Sequence, residues 1–341
     1  MPLNKLLLAS LVSLFCMNIN AGLVNAADME KPPQESAVIQ KFEQIPANKD
    51  DDLRVFYPDN TVVKGEAALE LMQAGKTGLT IWLAGNQFFA MEDVAHAFQK
   101  QHKHMVVGVV TMPPGKVMDA ILKGGWTYKN KDYAMTPDVF GMVDMGSLKK
   151  IKDAGKGQDY VTYMHNQLVL MVAENNPKNI KDISDLGRPE LQVMLPNPIT
   201  EGIMKFYGKK VLQNNGLWDK LSDGKECQSC YGAPNVYFTA VHHREIPAGI
   251  KANKVDVGIV WATEYKNALK EGLKVGVVEL PEKDSMKNEV NYLAGNVPGT
   301  HHEKAALAYL KFLGSNAGQT AYTEHGFIKA TPTELKISPI Q

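Results

Sequence analysis

From residue 79 onward the apolar positions alternate between two patterns. Short runs rich in β-branched and aromatic residues predict strands at 79–84, 105–110, 136–141, 161–172, 191–195, 255–261 and 275–280. Between them, apolar residues recur at three- and four-residue spacing. This predicts helices at 88–102, 117–123, 182–186, 201–215, 243–253, 303–313 and 317–325. In the first of these, Phe89, Val94, Ala97 and Phe98 fall near one face. Strands that alternate with helices predict an α/β fold with mixed, mostly parallel sheets and ligands at the strand carboxyl ends.

Two junctions carry the functional reading. The run 79–85 opens straight into a helix-patterned stretch, and 255–265 does the same. A strand that ends at a helix N-terminus points unpaired backbone N–H groups at one spot and favours negative charge there. Two such ends, far apart in sequence, predict a cleft between two lobes. The run 161–172 is long enough to cross from one lobe to the other.

The N-terminus is patterned differently. Lys5 is followed by an apolar run, Leu6–Ile19, then by small residues, with Val24-Asn25-Ala26 fitting a small-x-small cleavage site. The run is too short to span a membrane. Residues 1–26 therefore read as a signal peptide and the mature chain as periplasmic. Residues 27–78, with Pro32-Pro33 and a polar run at 48–52, read as an extension wrapped on the body, with a small strand at 53–56. Lobe 1 is assigned to 79–165 plus a returning segment at 275–341, and lobe 2 to 166–274.

Composition narrows the function. At 44% hydrophobic and 22% charged, the chain is ordinary for a globular protein. Lys plus Arg and Asp plus Glu both number 37, so there is no basic excess for nucleic acid or an anionic membrane. Phosphate-loop, Gly-x-Ser-x-Gly and His-Glu-x-x-His motifs are missing, which argues against an enzyme, and no cofactor is implied. Cys227 and Cys230 are the cysteines beyond the signal. They favour a short-loop disulfide, with a metal or redox site and unpaired thiols as the alternatives.

Three stretches together resemble the periplasmic molybdate-binding proteins of ABC importers. They are Leu79-Thr-Ile-Trp-Leu-Ala-Gly-Asn86; Asn166 through Val172 with Asn176-Pro177, Ile183–Leu186 and Asn197-Pro198 to Trp218; and Asp256–Glu264 with Ala305–Leu313 and Glu324-His-Gly-Phe327. The resemblance covers about 79–330 and implies a two-lobed binding-protein fold with a hinge. It further implies a monomer, without catalytic activity, that closes on a small anion, a molybdate-like oxyanion first, and delivers it to an ABC permease. The alternative is a metal, metal complex or organic anion, carried as an importer component or presented to a membrane sensor.

The site positions depart from the family pattern. Gly85 and Asn86 stand where the family offers a serine, and Met112-Pro-Pro-Gly115 replaces a serine-bearing second loop. Neither proline donates an N–H. Trp261 replaces a late tyrosine, and Val241-His-His-Arg244 precedes a helix. Imidazole and guanidinium thus replace hydroxyls, which suits an anion held by charge-assisted bonds or a metal held by imidazole. The expected ligand-binding residues are Gly85, Asn86, Gln87, Pro114, Gly115, Lys116, Thr200, Glu201, His242, His243, Arg244 and Trp261, with His242 and His243 as metal candidates. Glu264 reads as ordering its strand–helix junction, and His102, His104, His301 and His302 read as solvated.

Overall fold

The structure is a computed structural model and describes residues 52–240 and 243–341. The signal-peptide assignment and His242 lie outside the described residues.

Two sheets dominate. The first has nine strands, in the order Ile328–Lys329, Asp159–His165, Asn291–Asn296, Val139–Met142, Leu79–Ala84, Val107–Met112, Leu53–Phe56 and Val62–Lys64, with Ser338–Pro339 also on Asp159–His165. The second has six, in the order Cys230–Tyr231, Val236–Phe238, Val193–Leu195, Val257–Trp261, Leu168–Ala173 and Val275–Glu279.

Parallel pairing is confined to the centres. Leu79–Ala84 runs parallel to Val107–Met112 and Val139–Met142, and Val193–Leu195 runs parallel to Val236–Phe238 and Val257–Trp261. The flanks are antiparallel, so the expectation of mostly parallel sheets holds for the middle of each sheet only. On one flank of each sheet lie the strands next to the crossings, Asp159–His165 and Asn291–Asn296 in the first sheet and Leu168–Ala173 and Val275–Glu279 in the second, whereas Leu53–Phe56, Val62–Lys64 and Cys230–Tyr231 are antiparallel without crossing.

The central strands are buried on both faces. In Leu79–Ala84, Leu79, Ile81 and Leu83 pack in one cluster with Val94 and Phe98 of helix Met91–Gln101. Trp82 points the other way, into a cluster with Val117 and Ile121 of helix Pro114–Lys123. This alternation is the two-residue period of a strand covered on both sides. Leu168–Ala173 repeats it: Leu168, Leu170 and Val172 face one cluster, Val169 and Met171 another.

The run 161–172 is two strands rather than one. It breaks at Asn166-Gln167, with Asp159–His165 in the first sheet and Leu168–Ala173 in the second. The chain crosses back between Glu279 and Asn291. Val275–Glu279 pairs with Leu168–Ala173, so the returning segment starts after 279, not at 275. Leu53–Phe56 is also more than a wrapping: it pairs with Val107–Met112 and joins the first sheet. Phe56 and Val55 are fully buried there, and that burial fixes the strand in place.

Candidate functional site

The crossing point is polar. Loop Gly85–Ala90 follows the central strand of the first sheet, and its Asn86 Nδ2 donates to the hydroxyl of Tyr292. Asn166, at the break between sheets, approaches the same hydroxyl with Nδ2 at 3.4 Å and donates to Thr263 Oγ1 at 3.1 Å. Its Oδ1 accepts from Gln167 N–H at 2.9 Å. Thr263 lies in the first turn of helix Ala262–Lys270 of the second sheet. A continuous chain, Asn86–Tyr292–Asn166–Thr263, therefore joins both sheets where the backbone passes between them. Burial pushes the Tyr292 hydroxyl far above its ordinary value, so it stays protonated. Because Tyr292 accepts from both amides, its own proton is left for a third partner.

Gln87 is wholly buried beside this chain. Its Oε1 accepts from the Tyr163 hydroxyl at 2.6 Å, while its Nε2 has no hydrogen-bond partner among the described residues.

The second sheet contributes charge. Glu201 is 5% exposed, and its carboxylate sits in a cradle of donors. Oε1 accepts from Asn197 N–H at 3.0 Å and from the Thr239 hydroxyl. Oε2 accepts from His243 N–H at 2.5 Å and lies 2.7 Å from His243 Nδ1. His243 Nε2 then lies 2.9 Å from Glu264 Oε1. Burial alone would discharge this imidazole, but Glu264 and Glu201 outweigh it and raise its pKa to about 9. His243 is thus an imidazolium clamped between two carboxylates.

Arg244 follows immediately, at the position before helix Glu245–Lys251. That helix packs close on the sheet because Gly258 lacks a side chain: a Cβ there would meet Met194 O at 2.5 Å and Ile246 Cγ2 at 2.6 Å. The Arg244 guanidinium carbon lies 3.8 Å from the ring centroid of Phe88, a residue of the first-sheet loop. Burial lowers its pKa, opposed by Glu264 and Asp52.

Several expected contacts change meaning. For His243, a metal candidate, both ring nitrogens face carboxylates, and among the described residues no group of three or more His, Cys, Asp or Glu is placed to hold an ion. Glu201 is an internal anion in a filled cradle. Thr200 is exposed and turned to Asn197, whose Oδ1 takes both its N–H at 2.8 Å and its hydroxyl at 3.0 Å. The Met112–Lys116 turn is the start of a helix: Pro114 is its first residue, Gly115 and Lys116 are exposed, and Lys116 N–H is spent on Pro113 O at 2.8 Å. Gly85 is half-buried at the strand end. Trp261 is 5% exposed and packs edge-on to Tyr207 at 5.5 Å. Cys227 and Cys230 form a disulfide. His302 is not merely solvated: its Nδ1 lies 3.2 Å from Asp138 Oδ2, and His102 packs 4.3 Å from the Phe98 ring.

Tyr292, Asn166 and Thr263 escaped the residue-by-residue reading. The signal for Asn166 was present, as a polar Asn-Gln pair inside an otherwise apolar run. Tyr292 gave none, since a tyrosine in a buried strand is ordinary core.

Residues 79–328 fit the family described as bacterial extracellular solute-binding protein. The chain belongs to that family. Among relatives, a Bacillus subtilis (strain 168) protein, YvgL, named for an ABC transporter substrate-binding lipoprotein, is 25% identical over 255 residues, 74% of this chain and 86% of its own. The molybdate-binding protein ModA of Mycobacterium tuberculosis (strain ATCC 25618 / H37Rv) is 24% identical over 200 residues, 57% of this chain and 66% of its own. Among solved structures, the periplasmic molybdate-binding protein of Azotobacter vinelandii superposes with a TM-score of 0.55 at 18% identity, covering 74% of this chain and 100% of that one. As in that neighbour, the fold of this solute-binding protein is the two-lobed α/β arrangement. Among the described residues no helix is long and apolar enough to cross a membrane.

Proposed function

We propose that this solute-binding protein is exported to the periplasm, captures a small oxyanion between its two lobes and delivers it to an ABC permease. The lobes correspond to the two sheets, hinged at Asn166-Gln167 and at 280–290. The observation that carries this reading is the polar chain Asn86–Tyr292–Asn166–Thr263, which ties both lobes together at the hinge beside the half-buried Arg244. Arg244 supplies the charge, the amide of Asn86 and the Tyr292 hydroxyl supply neutral donors, and closure removes all of them from water. The names of the relatives, a molybdate-binding protein and an ABC substrate-binding lipoprotein, support an oxyanion cargo and a permease partner. Gly85, Gly115, Lys116 and Trp261 line the rim in this reading, and the disulfide is structural.

A thermal-shift screen of the mature protein with molybdate, tungstate, sulfate, phosphate, small carboxylates and divalent metals tests it. A ligand at a hundred times its Kd stabilises the folded form by about 2.7 kcal/mol. Stabilisation by one or more oxyanions is the expected result. Stabilisation by metals alone would overturn it.

A further inference from the structure

Glu264 is a buried carboxylate with a second oxygen beyond the one that faces His243. It is 4% exposed, in the first turn of the nine-residue helix Ala262–Lys270, beside Thr263 of the polar chain. Its Oε1 faces the His243 Nε2 at 2.9 Å, while its Oε2 has no hydrogen-bond donor among the described residues. One imidazolium does not need two carboxylates, and Glu201 already holds the other face of His243. The charge of Glu264 also reaches the two groups on the ligand side: it is among the influences on both Arg244 and Tyr292.

The site therefore combines donors with one fixed acceptor. Arg244, Asn86 and Tyr292 donate, whereas an ionised carboxylate only accepts. A fully ionised oxyanion has only lone pairs to offer. Against Glu264 it would set like charge on like charge and leave a buried acceptor unmet. Elsewhere on this side there is little to compensate, because the N–H groups of Asn197 and His243 are already spent on Glu201. An oxyanion that retains an O–H would donate to Glu264 and accept from the rest.

We infer that Glu264 makes the site select an oxyanion that keeps an O–H at neutral pH, a hydrogen phosphate or a phosphonate, over a fully ionised one such as sulfate or molybdate. This rests on the oxyanion reading above and narrows it by rejecting the unprotonated ligand.

Isothermal titration of the mature protein at pH 7 with inorganic phosphate, methylphosphonate, sulfate and molybdate is the test. Phosphate or methylphosphonate should bind at least about tenfold tighter than sulfate or molybdate. Glu264→Gln, which replaces an acceptor by a group that can donate, should erase or invert that ranking. Where the variant melts at the assay temperature, the wild-type ranking alone decides. Sulfate or molybdate binding as tightly as phosphate, or a folded Glu264→Gln protein that keeps the preference for phosphate, would reduce Glu264 to a counter-ion of His243. Absence of binding by all four anions would bring down the oxyanion reading itself, and this inference with it.

Discussion

The two sides of the hinge solve the same problem with different chemistry. The first-sheet side is neutral: Asn86 is bound to Tyr292, and Gln87 to Tyr163, through amides and hydroxyls. The second-sheet side is ionic, with Glu201, His243 and Glu264 in line and Arg244 beside them. A neutral network fixes geometry at modest cost. A buried ionic one is costly to assemble and costly to break, so it sets both pH behaviour and ligand charge.

Breaking the ionic side should have the largest effect. Glu201→Ala removes the carboxylate from its cradle and leaves the His243 N–H and imidazolium without their acceptor. It should lower unfolding stability by about 3–5 kcal/mol, read by urea denaturation. The pH dependence gives an independent check. His243 has its pKa raised in the folded state from 6.5 to about 9, so its contribution is complete below about 6.5 and is lost as pH rises through 9. Melting temperature should fall across that window in the wild type, and less in Glu201→Ala. A wild-type profile flat from pH 6.5 to 9 would mean that His243 is not clamped as described.

Arg244 tests the same side without emptying the cradle. Arg244→Ala should weaken oxyanion binding by about 1.5–3 kcal/mol, since a buried charge-assisted bond is lost. Unchanged affinity in calorimetry would remove Arg244 from the site. Tyr292→Phe probes the neutral side. It takes away the acceptor shared by Asn86 and Asn166 and should cost about 1–3 kcal/mol of stability while leaving the pH profile of His243 in place. A changed profile would show that the two sides are one network.

The neutral and ionic sides also differed in how legible they were. The alternation of strands and helices, and the strand-to-helix ends at 85 and 261, can be read directly because hydrophobic period and burial are the same fact. Asn86 was singled out because it sits at such an end, and Arg244 because the segment before its helix departs from the family pattern. Glu201 and His243 were singled out, yet as ligand contacts, because a residue list cannot tell a carboxylate that waits for a ligand from one already seated among Asn197, Thr239 and His243. Tyr292 lies 206 residues from Asn86 in the chain, and only the folded sheet brings them together. The break of 161–172 at Asn166-Gln167 was missed because both halves are apolar, and what separates them is which sheet each joins.

The smallest expected effect concerns what braces the ionic side from outside. The Cys227–Cys230 loop lies against the segment that leads to the cradle: Ser229 N–H donates to Thr239 O at 3.1 Å, and Gln228 Nε2 donates to Ala240 O. Thr239 in turn touches Glu201. A disulfide that closes so short a loop restrains few unfolded conformations, so Cys227→Ser with Cys230→Ser should cost roughly 1–2 kcal/mol in unfolding stability. Ligand ranking should survive, because no sulfur is near Asn86, Tyr292 or Arg244 in the contacts that build the site. Loss of binding at near-wild-type stability would reverse that reading, making the loop a part of the recognition surface and extending the ionic side beyond Glu201.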